Sequence, residues 1–233
     1  MDSVILREIH FRIDETVVFE KLRLKENSEY RDRVMVLISE GCRKAKPKGF
    51  YQEVKIEKRE QDFIEAKGIK LHSRILRVNT EDVETIFPFV ATCGTEIDDW
   101  AKSFGDIVDR YVADLIQEMA CQKAVETVFD HIQENYSLIN PAHLLPGSLT
   151  DWPIDQQAQL FSLMGNPQHL LGMELTDHML MKPVKSLSGI RFDSKHQHVN
   201  CQLCPKEKCP GRRSPYESEL YDKNYGSKID CQE

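Results

Sequence analysis

Between Asp106 and Glu134 no glycine or proline interrupts the chain. Within that stretch Ile107, Val108, Tyr111, Val112, Leu115, Ile116, Met119, Ala120, Val125, Val128, Phe129 and Ile132 recur mostly at three- and four-residue steps. This spacing predicts one long helix with a broad buried face. Any fold for the chain must supply an apolar surface to cover that face.

The segments around the helix supply candidates. Arg31–Arg43 carries Val34, Met35, Leu37 and Ile38 at helical spacing, and Lys46-Pro47-Lys48-Gly49 marks a turn after it. Phe50–Ile56 and Ile64–Leu76 show partial alternation with β-branched residues, the pattern of strands. Val83–Thr92 is nearly continuous in apolar residues apart from Pro88 and predicts a buried strand, ending at Gly94. Thr95 is the expected N-cap of the helix that follows, with Asp98 three residues on. Beyond the long helix, 135–151 reads as a polar, proline-containing loop. A shorter helix is expected over Ile154–Met164, stopped by Gly165-Asn166-Pro167. Met173–Met181 and Ser186–Phe192 are expected to pair as strands through Lys182–Lys185. Helices and strands are segregated rather than alternating, so the fold class is α+β, a single compact domain with a mostly antiparallel sheet and a long central helix. The expected division is a body over 1–192 and a Cys/His-rich tail over 193–233.

Composition narrows the function classes. The 233 residues include 31 Lys plus Arg against 38 Asp plus Glu, a formal net charge of −7. That balance argues against nucleic acid and anionic membrane surfaces as partners. No apolar run approaches the roughly 18 residues of a membrane span. Asp2 and Glu8 stand where a secretory signal would be apolar, so the expected location is cytoplasmic. In that compartment the seven cysteines are not a disulfide framework. Cys42, Cys93 and Cys121 lie in the body, whereas Cys201, Cys204, Cys209 and Cys231 crowd the tail.

Two segments carry candidate chemistry. In His143-Leu144-Leu145-Pro146-Gly147-Ser148-Leu149-Thr150-Asp151-Trp152-Pro153, Pro-Gly presets a turn that bares backbone groups to a ligand. In Leu175-Thr176-Asp177-His178 and the following residues to Ile190, Ser186, Ser188 and Gly189 permit close backbone approach. Each alone reads as a connector. In this order and spacing, however, they resemble the activation domain of cobalamin-dependent methionine synthase, in its free-standing form. The likeness is closest over residues 143–192 and extends back to about 85.

The resemblance implies an α+β domain that binds S-adenosylmethionine and serves a corrinoid protein, either a corrinoid-binding methyltransferase or a methionine synthase core. Its implied role is reactivation. One-electron reduction of cob(II)alamin, from a donor such as flavodoxin or ferredoxin, is drawn forward by methyl transfer from S-adenosylmethionine. The domain contributes position rather than acid–base chemistry. In the family's Arg-x-x-Pro-Gly-Tyr loop, Pro146 and Gly147 match and Leu145 supplies intervening backbone. His143 stands at the arginine position and Ser148 at the tyrosine position. Arginine forks both oxygens of a carboxylate and a neutral histidine cannot; serine lacks tyrosine's aromatic wall. Glu126 best matches the family glutamate that holds the ligand's amino group. Thr176 and Asp177 match a Thr-Glu pair and read as structural, with His178 at the surface or packed.

The tail sets His196, His198, Cys201, Cys204 and Cys209 close together, with Cys231 further on. Cys201, Cys204, Cys209 and Cys231 are the candidate metal ligands, for zinc or an iron–sulfur cluster. Arg212 and Arg213 are expected to be a docking patch or solvated charge. The alternative function is a corrinoid-protein docking or redox module that has lost S-adenosylmethionine and uses the cysteine tail.

Overall fold

The computed structural model describes residues 3–25, 28–194, 200–204, 206, 208, 212 and 214–225. The fold is α+β, built on one sheet crossed by one long helix. From edge to edge the strands are Ser3–Leu6, Lys48–Gln52, Thr85–Thr92, Ser186–Asp193 and Pro141–Leu144, with Val54–Lys55 also pairing with the central strand. All of these pairings are antiparallel.

Thr85–Thr92 is buried along nearly its whole length, which its continuous apolar sequence requires. Pro88 lies inside it. Tyr51 pairs with Phe89 and Val54 with Ile86 in one unbroken register, and the ladder lapses only between those pairs, beside the residue with no N–H to donate.

The long helix spans Ile107–Tyr136. Asp106 caps it, accepting from the Val108 and Asp109 N–H groups at 2.8 and 3.1 Å. Val112, Ile116, Ala120, Ala124, Val128 and Ile132 form its buried stripe. Full burial of each of the larger ones is worth about 1.5–3 kcal/mol over exposure. Contact with the sheet is closest at Gly49, where a Cβ would stand 2.3 Å from Val128 Cγ2. The helix Arg31–Lys44 packs beside it, burying Val34, Leu37 and Ile38.

The other face of the sheet carries a second core. Phe50, Val90, Ile190 and Phe192 meet Trp152, Leu160, Phe161 and a three-stranded sheet of Lys58–Arg59, Phe63–Ala66 and Ile69–His72. The last strand therefore serves both layers by alternation. Ile190 and Phe192 face this second core, while Leu187, Gly189 and Arg191 face the long helix.

Several sequence expectations need correction. The stretch Ile64–Leu76 is not one strand. Lys67 and Gly68, both at positive φ, turn it into a hairpin, and Ser73 then caps the helix Arg74–Asn79 by accepting from Leu76 N–H at 3.0 Å. Lys48 and Gly49 belong to a strand rather than a turn. Thr95 is the first helical residue rather than the cap. Gly94 holds the cap position at φ 93°, where a Cβ would stand 2.4 Å from the Lys46 carbonyl. The expected loop over 135–151 contains an edge strand, Pro141–Leu144. Glu174–Leu175 pairs with Met181–Lys182 alone, whereas Ser186–Asp193 pairs elsewhere. Beyond Asp193, Leu203 and Cys204 pack on the second core, and Tyr225 is buried within it, its hydroxyl accepting from Asn79 Nδ2 at 3.1 Å.

Candidate functional site

Pro141–Leu144 pairs with the last strand so that His143 stands opposite Arg191 and Leu144 opposite Ile190. The chain then turns at once. Ser148 N–H donates to the Leu145 carbonyl at 3.2 Å, with Pro146 second and Gly147, at φ 79°, third. That is the residue order a type II turn demands. Gly147 N–H donates to the Trp152 carbonyl at 2.7 Å, and Leu149 bridges to Trp152, whose side chain is buried. Two of the loop's backbone donors are thereby spent inside the loop. Its crossing over the last strand is tight: a Cβ on Gly189 would stand 2.5 Å from the Leu144 carbonyl oxygen.

The turn forms one wall of a cavity of about 290 Å³. Leu145, Pro146, Gly147 and Ser148 line it with Ile154, Gln157, Met181, Leu187 and Ser188. Ser188 is buried, and its hydroxyl has no hydrogen-bond partner among the described residues.

A second cavity, of about 740 Å³, opens between the long helix and the same strand. Glu126, Gln122 and Phe129 line it from the helix, His143 from the edge strand, and Lys185, Ser186 and Arg191 from the last strand and the residue before it. Leu187 lines both cavities. The six residues expected to bind ligand thus divide four and two between neighbouring cavities joined by one strand. Both volumes fall at or near the range of small-molecule sites. A further cavity of about 450 Å³, beside Glu53, Asp82, Glu84 and Asp193, contains none of them.

Phe129 organises the larger cavity. Its ring centroid lies 5.3 Å from that of His143 and 5.0 Å from that of Phe89, and the Arg191 guanidinium carbon sits 4.0 Å above it. Burial presses the Arg191 pKa down and the charge of Asp130 opposes that; a guanidinium there stays protonated at neutral pH. Arg191 Nε is buried and has no hydrogen-bond partner among the described residues. Glu126 is exposed and accepts from Gln122 Nε2 at 3.1 Å. Lys185 is committed to Asp114 at 2.9 Å and Glu118 at 3.9 Å. Cys121 also lines this cavity, its thiol pushed up to about 12 by burial, so it is not a thiolate nucleophile at neutral pH.

Arg191 is the residue that sequence reasoning missed. The available signal was a charged side chain inside the apolar run Ser186–Phe192, in phase with Leu187 and Gly189. Thr176, by contrast, closes a local turn, its hydroxyl accepting from Leu180 N–H at 3.0 Å, and His178 is exposed.

Of the candidate metal ligands, Cys209 and Cys231 lie outside the described residues, as do His196 and His198. Cys201 and Cys204 are half-buried on one turn at the helix Asn200–Leu203. Among the described residues no group of three or more His, Cys, Asp or Glu could hold a metal ion. Arg212 is not simply solvated charge. It donates to the backbone carbonyls of Cys201 at 2.9 Å and Cys204 at 3.1 Å and ties that turn together. Arg213 lies outside the described residues.

Fold and cavities define an α+β domain with two ligand-sized clefts flanking its last strand. This architecture is similar to that of the solved MetH reactivation domain bound to AdoHcy, with a TM-score of 0.61 and 15% sequence identity, covering 85% of this chain and 81% of that chain. At that identity the likeness is one of fold. No protein-family model matches the chain, and no curated protein matches it. Among the described residues no helix is long and apolar enough to cross a membrane.

Proposed function

We propose that this protein binds S-adenosylmethionine and presents its sulfonium methyl group to a corrinoid held by a separate methyltransferase, reactivating that partner by reductive methylation. The observation that carries the reading is the convergence of Glu126, His143 and the Pro146-Gly147 turn on two adjoining cavities along one strand. Those are the residues the family resemblance selects, and the architecture is similar to that of a reactivation domain whose structure contains AdoHcy.

The residues fit the ligand's chemistry. Its amino-acid end carries an ammonium and a carboxylate, and the larger cavity offers carboxylates and a guanidinium. The smaller cavity offers apolar walls from Leu145, Ile154 and Met181, with the Ser188 hydroxyl as a polar point. The reaction takes one electron from an external donor of flavodoxin or ferredoxin type to the partner's cobalt. The methyl cation equivalent then passes from sulfur to the reduced metal, and S-adenosylhomocysteine leaves. This chain's residues act by binding and orientation, and none is required to move a proton.

The test is anaerobic. A corrinoid methyltransferase in its cob(II)alamin state is mixed with this protein, S-adenosylmethionine and a one-electron reductant, and the visible spectrum is followed. The expected result is a methylcobalamin spectrum that depends on this protein. Its absence, together with no calorimetric binding of S-adenosylmethionine by the folded protein, overturns the proposal.

A further inference from the structure

The larger cavity is lined by a half-buried cation, Arg191, whose Nε atom is buried with no hydrogen-bond partner among the described residues. Arg191 lies against Phe129. Phe129 and Glu126 are three residues apart on the long helix and so share a face. On the neighbouring edge strand, the position in register with Arg191 is His143. Two other cations line the cavity: Lys185 is held by Asp114 and Glu118, and Lys21 is an exposed ammonium, a point charge with no planar fork for a carboxylate. Arg191 is therefore the donor best placed for an incoming anion.

We propose that Arg191 binds the carboxylate of the ligand's α-amino-acid end while Glu126 takes its ammonium, so that the guanidinium absent at position 143 comes from the adjacent strand. This rests on the proposed S-adenosylmethionine reading and adds to it the residue that recognises the carboxylate. Three features support a zwitterion over a polyanion. Glu118 and Glu126 line the same cavity and repel dense negative charge, and Asp130 lies close enough to act on the guanidinium. The Phe129 face fixes the guanidinium plane, so less freedom is lost when it forks two oxygens. The His143 imidazole, tilted against the same ring, has no pair of parallel N–H groups to fork a carboxylate.

The experiment compares S-adenosylmethionine with its decarboxylated analogue, which lacks only the carboxylate, by calorimetry on the full chain. Wild-type protein should prefer the intact ligand by about 10- to 100-fold, the scale of a charge-assisted bidentate contact. Arg191→Met should abolish that preference while leaving affinity for the analogue within about twofold. Arg191→Lys, which keeps the charge and loses the fork, should give an intermediate ratio and serves if the methionine variant does not fold. His143→Ala should keep the preference. Equal wild-type affinity for both ligands, or a preference that survives at Arg191→Met and disappears at His143→Ala, overturns the assignment while the functional reading stands. Failure of the folded wild-type protein to bind either ligand overturns both.

Discussion

The two cavities beside the last strand are built in opposite ways. The smaller one is mostly local: four consecutive residues, Leu145 to Ser148, form one wall, and their own hydrogen bonds hold it closed over Trp152. The larger one is assembled from the middle of the long helix, an edge strand and the last strand, far apart in sequence. The first offers shape and apolar surface, whereas the second concentrates charge. Backbone turns make rigid walls cheaply because Pro and Gly preset them. A pair of opposed charges that must not collapse on each other needs separate rigid elements to hold them apart.

The largest expected effect removes both cavities together. Gly189→Val places a branched side chain against the Leu144 carbonyl and should destabilise the fold by about 1–3 kcal/mol or more. A lowered urea midpoint and loss of ligand binding would show it. Gly147→Val separates the cavities: strain at positive φ, about 1–2 kcal/mol, and contact with Ile154 at 3.0 Å from the new Cβ distort the turn alone. Overall affinity should fall while the preference for a carboxylate persists. Were that preference lost too, the cavities would be one site rather than two.

Glu126→Gln should be milder, because Glu126 is exposed. A three- to tenfold affinity loss, roughly, is expected with no change in the denaturation midpoint, and calorimetry beside urea titration reads both. Of the two cavities, only the larger is lined by a cysteine, Cys121. Burial raises the folded pKa of Cys121 to about 12, above its ordinary value of 9.0. Its contribution to stability is therefore complete below about pH 9 and is lost as pH rises toward 12. At pH 8 Cys121 should alkylate far more slowly than a free thiol, and mass spectrometry after iodoacetamide treatment measures that. The smallest effect is expected at His143→Ala, less than about threefold in affinity, because an imidazole offers a carboxylate no planar two-nitrogen fork.

Legibility in the sequence followed the same division. The Pro146-Gly147 turn was readable because its chemistry is contained in adjacent residues. The long helix was readable because no residue contradicts its period. The hairpin over Phe63–His72 was not, since its turn is Lys67-Gly68 rather than a strong Asn-Gly signal, and lysine at positive φ is set by the paired strands around it. The strand Pro141–Leu144 was too short to stand out and opens on a proline, and it exists because the last strand offers it an edge. Arg191 was hidden for the same reason, since its meaning depends on standing opposite His143 and over Phe129.

By itself the sequence determined the α+β class, the long helix, the buried central strand and the turn that walls the smaller cavity, all through local periodicity and backbone preference. Tertiary structure decided which strands pair, that Glu126 and Arg191 line one cavity, and that described parts of the tail pack onto the body. Those outcomes depend on register and on contacts between distant residues, and a one-residue shift of register would turn Arg191 away from the helix.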